Sequence, residues 1–178
     1  SKIEIWDSTK FSSYACEMRG HYAMEEHWQP KEPSEALAFG IGFHKAVEVW
    51  TQTNAVSLDY NIAAIEQGKK AFLKVWEQEL PQEKRDSLEL LGDRRSYANF
   101  CRLFEAFTRK FPLEMFDKIV AAEIPFELYL GRTPAGHEIY WYGVLDRTVI
   151  WQGGLYYVDI KTSSYPLNDR FFSQFRLS

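Results

Sequence analysis

The stretch that most limits what this chain can fold into runs from Tyr140 to Thr162 and reads YWYGVLDRTVIWQGGLYYVDIKT. Both halves are rich in Tyr, Trp, Val and Ile, which suit a pleated, half-buried surface. They are broken at Gln152-Gly153-Gly154, where glycine supplies the positive backbone angles of a tight hairpin. Each run ends in an acid, with Asp146 closing the first and Asp159 the second. Side chains alternate along a strand, so Asp159 and Lys161 are expected on one face and Ile160 on the other. Two carboxylates and an ammonium converging on apolar strands are costly unless something compensates the charge. A divalent cation would do so, and Mg²⁺ takes one or two carboxylates together with phosphate and water oxygens. The other reading is a solvated Asp–Lys surface pair, worth little energetically, and D-x-K alone does not separate the two.

At 178 residues the chain suffices for one domain with a proper core and is short for two. With 46% hydrophobic and 26% charged residues it reads as globular rather than disordered. A formal net charge of -4 gives no global basic signature of the kind that coats nucleic acid, which leaves only a local groove for phosphate. Cys16 and Cys101 are far apart and form no C-x-x-C, so neither a disulfide framework nor a zinc site is expected. No secretory or long apolar run occurs, and a soluble, cytoplasmic protein without membrane contact is expected.

Along the chain, residues 2–6 read as a short β-like lead and Asp7-Ser8 as a helix cap. A helix over 12–28 would carry an aromatic face, with Cys16 as a small buried hydrophobe. Ser34 caps the next helix, in which Phe39, Phe43, Val47 and Trp50 fall at helical spacing. Gly40 and Gly42 point to close packing of that helix on the sheet, and His44 sits one residue off its apolar stripe. A third helix over 58–80 places Ile62, Ile65, Phe72, Val75 and Trp76 inward, with Lys69, Lys70 and Lys74 on a solvated face, and Pro81 ends it. Residues 83–92 are charged and mobile-looking. Arg94-Arg95 precede a fourth helix over 96–111, with Phe100, Leu103, Phe104 and Phe107 along one side; this basic group is a candidate for phosphate. Residues 118–130 read as the first long strand, with Glu123, Pro125 and Glu127 on one face and Ile124, Phe126, Leu128 and Leu130 on the other. Pro125 favours a sheet edge or a bulge. After Lys161 the chain leaves through Thr162-Ser163-Ser164 and enters a helix from Asn168.

Gly-Val-Leu-Asp-Arg, a hairpin, then Tyr-Val-Asp-Ile-Lys-Thr-Ser resembles the catalytic core of the PD-(D/E)XK nuclease superfamily, closest to its RecB-like exonuclease branch. Gly40-Ile41-Gly42-Phe43-His44 and Ala122-Glu123-Ile124-Pro125-Phe126 stand where that branch carries an upstream histidine and a first acid. The resemblance covers residues 8–178. It implies an α/β fold in which a small mixed, twisted sheet is flanked by helices, as one nuclease domain over 1–178 with a helical part at 8–111 and a sheet core at 118–178. It also implies a glutamine, followed four residues on by a tyrosine, in the helix after Lys161; Gln174 is available, and Ser178 stands in the tyrosine's place. Some RecB-like nucleases hold an iron-sulfur cluster through a cysteine near Cys16 and three later ones, which this chain lacks, so no cluster is expected.

The resemblance further implies metal-dependent phosphodiester hydrolysis of DNA. Asp146, Asp159 and His44 would ligate Mg²⁺ or Mn²⁺. Lys161 would orient water or neutralise the phosphate, and Glu123 would hold a neighbouring ligand. Gln174, Arg94, Arg95, Thr162 and Ser163 are candidate DNA contacts. By analogy, an exonuclease of phage or prophage recombination and repair is expected, with a recombination partner protein. The chemistry acts on the backbone, so little sequence specificity is expected. A non-catalytic nucleic-acid-binding domain that kept the fold is the alternative; an Asp159–Lys161 acid–base enzyme for small molecules is a third reading.

Overall fold

Gln152 and Gly153 both take positive φ, 49° and 76°, in the computed structural model, and Trp151 pairs with Gly154 across them. The hairpin is therefore the two-residue turn whose twist matches its flanking strands, and Gly154 already belongs to the sheet. Gln152 sits where asparagine is the better residue. Gln152→Asn is expected to raise stability by about 0.5 kcal/mol, read as a small rise in melting temperature.

The structure describes residues 2–28, 32–54 and 62–163. Its four-stranded mixed sheet is flanked by helices, as expected. The organising strand is β3, Glu138–Trp151. Along one edge runs β2, Lys118–Arg132, antiparallel from Lys118 opposite Ile150 to Arg132 opposite Glu138. The other edge is shared. There β1, Ile3–Trp6, lies parallel to the first residues of β3, and β4, Gly154–Val158, lies antiparallel to Arg147–Trp151. Between them, residues 142–146 have no strand partner on that edge among the described residues.

Several expectations change here. The sheet does not begin at residue 118, because β1 joins it; a parallel pairing across more than a hundred residues leaves no local pattern to read. Asp146 lies inside β3 rather than at its end, and β4 stops at Val158, so Asp159, Ile160 and Lys161 follow the strand. Among the described residues β2 pairs only with β3, which places Pro125 on an edge as expected. A register shift between Tyr129 and Gly131 takes Leu130 out of the alternation that Ile124, Phe126 and Leu128 follow.

The helices begin with α1, Ser8–Tyr14, capped by Asp7, whose Oδ1 accepts from the Lys10 amide at 2.7 Å. The expected helix over 12–28 is broken. Cys16 is extended, and α2, Glu17–Gly20, runs into a π-helical turn at His21–Glu25. The cause is a fold-back: Tyr14 lies on Gly20, where a β-carbon would sit 2.5 Å from Tyr14 Cδ1. Cys16, left at the break, is exposed rather than buried.

Next come α3, Glu35–Asn54, and α4, Ile62–Glu79; part of the expected helix over 58–80 and the one from Asn168 lie outside the described residues. Phe39, Phe43, Val47 and Trp50 of α3 are all buried, as their spacing predicts. On α4 the buried stripe is Ala64, Ile65, Gly68, Phe72 and Trp76. Ile62 lies about a quarter turn from its centre at 3.6 residues per turn and is exposed. The segment read as mobile is instead α5, Gln82–Leu90, anchored by buried Leu88 and by Arg85 against Glu77. Last is α6, Tyr97–Lys110, capped by Ser96. It buries Phe100 and Phe104, while Leu103, again about a quarter turn off, is exposed. Lys69 is not on a solvated face: it bridges Glu66 and Glu105, at 2.7 and 2.6 Å, and so ties α4 to α6. No described helix is long and apolar enough to cross a membrane.

The core sits among α3, α4 and α6, and β3 buries Arg147, Thr148 and Val149, of which Val149 is apolar. Phe72 stacks on Phe100 at 3.6 Å between centroids. Gly42 faces Phe72 of α4 rather than the sheet, with a β-carbon position 2.8 Å from that ring. Gly68 lies 2.9 Å, on the same measure, from the Ala46 carbonyl and 2.7 Å from Phe104. Alanine's helix propensity favours Gly68→Ala by about 1 kcal/mol, but overpacking against a backbone oxygen costs about 1–3 kcal/mol. A net loss of stability, seen as a lower melting temperature, is the expected result.

Candidate active site

Asp146 lies where β3 has lost its outer neighbour. The Ile160 amide, just past β4, donates to Asp146 Oδ2 at 2.9 Å, in place of a ladder bond to another strand. From α3, His44 Nδ1 approaches the same oxygen at 3.3 Å. Burial pushes the Asp146 carboxyl up, but His44 and the Ile160 N–H outweigh it and hold the group down at about 2. Conversely, the bond to Asp146 raises His44, against burial.

Asp159 lies near enough to bear electrostatically on both groups, lowering the Asp146 carboxyl and raising His44. Its Oδ1 is 2.9 Å from Lys161 Nζ, and both side chains are more than half exposed, at 60% and 52%. Asp159 and Lys161 therefore turn the same way, while Ile160 packs against the core.

Glu123 sits between the pairs Ala122–Arg147 and Ile124–Leu145, hence opposite Asp146. Its φ is 54°, a left-handed conformation that costs a residue with a β-carbon about 1–2 kcal/mol. Burial raises its carboxyl above the usual range, and the charges of Glu48 and Asp146 add to the effect.

His44 and Glu123 line a groove of roughly 510 Å³ together with Lys45 and Glu48. Asp159 and Lys161 line a larger cavity of roughly 1240 Å³, which Arg94, Arg95, Thr162 and Ser163 also line. The structure thus brings His44, Asp146, Asp159, Lys161 and Glu123 to one place between two clefts, and the candidate DNA contacts to the larger of them. Gln174 lies outside the described residues.

Arg147 escaped the sequence reading. It is 3% exposed, hydrogen-bonds Thr51 Oγ1 and lies 5.7 Å from the Trp50 ring centroid. Burial pulls its guanidinium down to about 10. The signal was present: an arginine directly after Asp146 in an otherwise apolar strand has to be buried or turned out, and Thr51 on the facing helix is a polar partner.

No three His, Cys, Asp or Glu side chains among the described residues are gathered closely enough to hold a metal ion on their own. A closed zinc-type site does not fit. The carboxylates of Asp146 and Asp159 do fit the chemistry of Mg²⁺ or Mn²⁺, which binds through one or two carboxylates and keeps its remaining positions for water and phosphate oxygens. A search of curated proteins finds no match to the chain. A model of the PD-(D/E)XK nuclease superfamily, however, matches residues 12–174, a span that holds His44, Glu123, Asp146, Asp159 and Lys161, and the chain belongs to that superfamily.

Proposed function

We propose that the chain is a metal-dependent deoxyribonuclease that hydrolyses phosphodiester bonds, an exonuclease acting in recombination or repair. The observation that carries the hydrolytic reading is that the Ile160 amide, set between Asp159 and its partner Lys161, donates to the Asp146 carboxylate that His44 also meets. The exonuclease assignment and its setting rest on the likeness of Gly143–Asp146 and Val158–Thr162 to the RecB-like branch.

Asp146 and Asp159 would hold Mg²⁺ or Mn²⁺, with His44 beside them. Bound there, the cation supplies charge neutralisation at the scissile phosphate and a nucleophile from water at neutral pH. The chain's own residues do the rest. The Ile160 amide and His44 fix the orientation of the Asp146 carboxylate. Lys161, an exposed ammonium with three donors, would orient the attacking water or meet charge growing on the phosphate. Glu123, held opposite Asp146 with a raised carboxyl, would steady a neighbouring water or ligand.

The test is hydrolysis of an end-labelled DNA oligonucleotide with Mg²⁺ or Mn²⁺, with and without EDTA. Cleavage that EDTA abolishes supports the reading; DNA binding without cleavage under any divalent cation favours the non-catalytic alternative. Release of mononucleotides separates exonuclease from endonuclease action, and cleavage strongly dependent on sequence would contradict a backbone-directed site.

A further inference from the structure

The cavity of roughly 1240 Å³ leads away from Asp159 and Lys161 between α6 and the β3–β4 hairpin. Its walls are aromatic, with Phe111, Trp151 and Tyr156 exposed along them. Arg94, Arg95 and Lys110 line it too, and none has a carboxylate partner among the described residues. Elsewhere Lys45, Lys69, Lys84, Arg85 and Arg132 are each held in an ion pair, while others, such as Lys70, Lys74 and Arg102, have none among the described residues. Arg147, almost fully buried, is a further cavity-lining cation without an ion pair among the described residues. Asp159 is the acid among the described lining residues. A chain of net charge -4 thus places Arg94, Arg95, Lys110 and Arg147 around one aromatic cleft that reaches Asp159.

We infer that this cleft binds a single DNA strand, with bases stacked on Phe111, Trp151 and Tyr156 and the backbone held by Arg94, Arg95 and Lys110 on its way to Asp159 and Lys161. The inference rests on the nuclease reading for what happens at the acidic end, and goes beyond it in naming the strand form and the residues that hold it. Cations alone would serve a duplex equally well, because they meet only phosphates. The aromatic walls decide the matter: a duplex keeps its base faces inside its own stack, whereas a single strand offers them to aromatic side chains regardless of sequence.

The experiment is fluorescence anisotropy with labelled oligo(dT) and with a blunt duplex of equal length, in EDTA so that neither is cut. Wild type is compared with Trp151→Ala and with the triple variant Arg94→Ala, Arg95→Ala, Lys110→Ala; thermal melts check that each is folded. The expected result is that oligo(dT) binds at least about tenfold tighter than duplex. Trp151→Ala should remove about tenfold from the strand and nothing from the duplex, and the triple variant should weaken strand binding and flatten its salt dependence. Duplex bound as tightly as strand overturns the inference. So does indifference of both ligands to both folded variants, the result expected if this chain's own residues or a protein partner fill the cleft. Cleavage by the same wild-type protein keeps the two readings apart. EDTA-sensitive hydrolysis with duplex preference sinks the strand assignment alone, and strand binding without hydrolysis sinks the nuclease reading alone.

Discussion

Asp159→Ala and Lys161→Ala are each expected to lower metal-dependent DNA hydrolysis by about 10²–10⁴-fold while leaving the melting temperature nearly unchanged. The rate term follows from what the two groups do in the proposed reaction. Removing one preorganised electrostatic donor typically costs about 10²–10³ in turnover, and a positioned proton-transfer group contributes about 10²–10⁴. The stability term follows from exposure. The Asp159–Lys161 pair stands mostly in water, and such pairs are worth about 0–1 kcal/mol. A drop in turnover therefore cannot be ascribed to unfolding. Single-turnover cleavage of a labelled oligonucleotide, beside a thermal melt of each variant, reads both quantities. Cleavage persisting at the wild-type rate in both variants would show that the reaction runs elsewhere.

Phe100→Ala is expected to do the reverse, lowering stability by about 3–5 kcal/mol, the usual cost of emptying a large aromatic site. Phe100 is fully buried, stacked on Phe72 and packed edge-on against Phe39 and Phe43 of α3, the helix that carries His44. The loss is a large share of the roughly 5–15 kcal/mol that holds a domain together. For a chain of this size it corresponds to a fall of about 6–20 °C in melting temperature. The Phe100→Leu variant, which keeps most of the volume, should lose much less. A melt of Phe100→Ala within a degree or two of wild type would contradict the placement of the core among α3, α4 and α6 rather than against the sheet.

What the sequence disclosed divides along physical lines. Short-range signals were legible. The Gln152–Gly153 turn, the caps at Asp7 and Ser34, the buried stripe of α3 and the edge position of Pro125 all depend on a few neighbouring residues. The candidate site was legible too, because Gly143–Asp146 and Val158–Thr162 carry its acids and lysine in a recognisable spacing. What failed depends on distant partners. α5 has one buried apolar anchor, Leu88, so its amphipathic pattern is nearly silent, and its second support, Arg85 to Glu77, belongs to another helix. The parallel pairing of β1 with β3 has no local signature. Cys16 is a typical buried residue by type, yet the fold-back of Tyr14 onto Gly20 leaves it in the open. Glu123 could be placed on a strand, but nothing in its neighbouring residues marked the left-handed conformation it takes there.

The central claim is that Asp146 and Asp159 hold one divalent cation between them. Mn²⁺ binding followed by electron paramagnetic resonance tests it without requiring turnover, through the loss of the free-ion signal as protein is added. Wild type is expected to take up Mn²⁺, and both Asp146→Asn and Asp159→Asn to lose most of that uptake, because a neutral amide keeps the shape of each side chain but not its charge. Undiminished Mn²⁺ uptake in both folded variants would contradict the account.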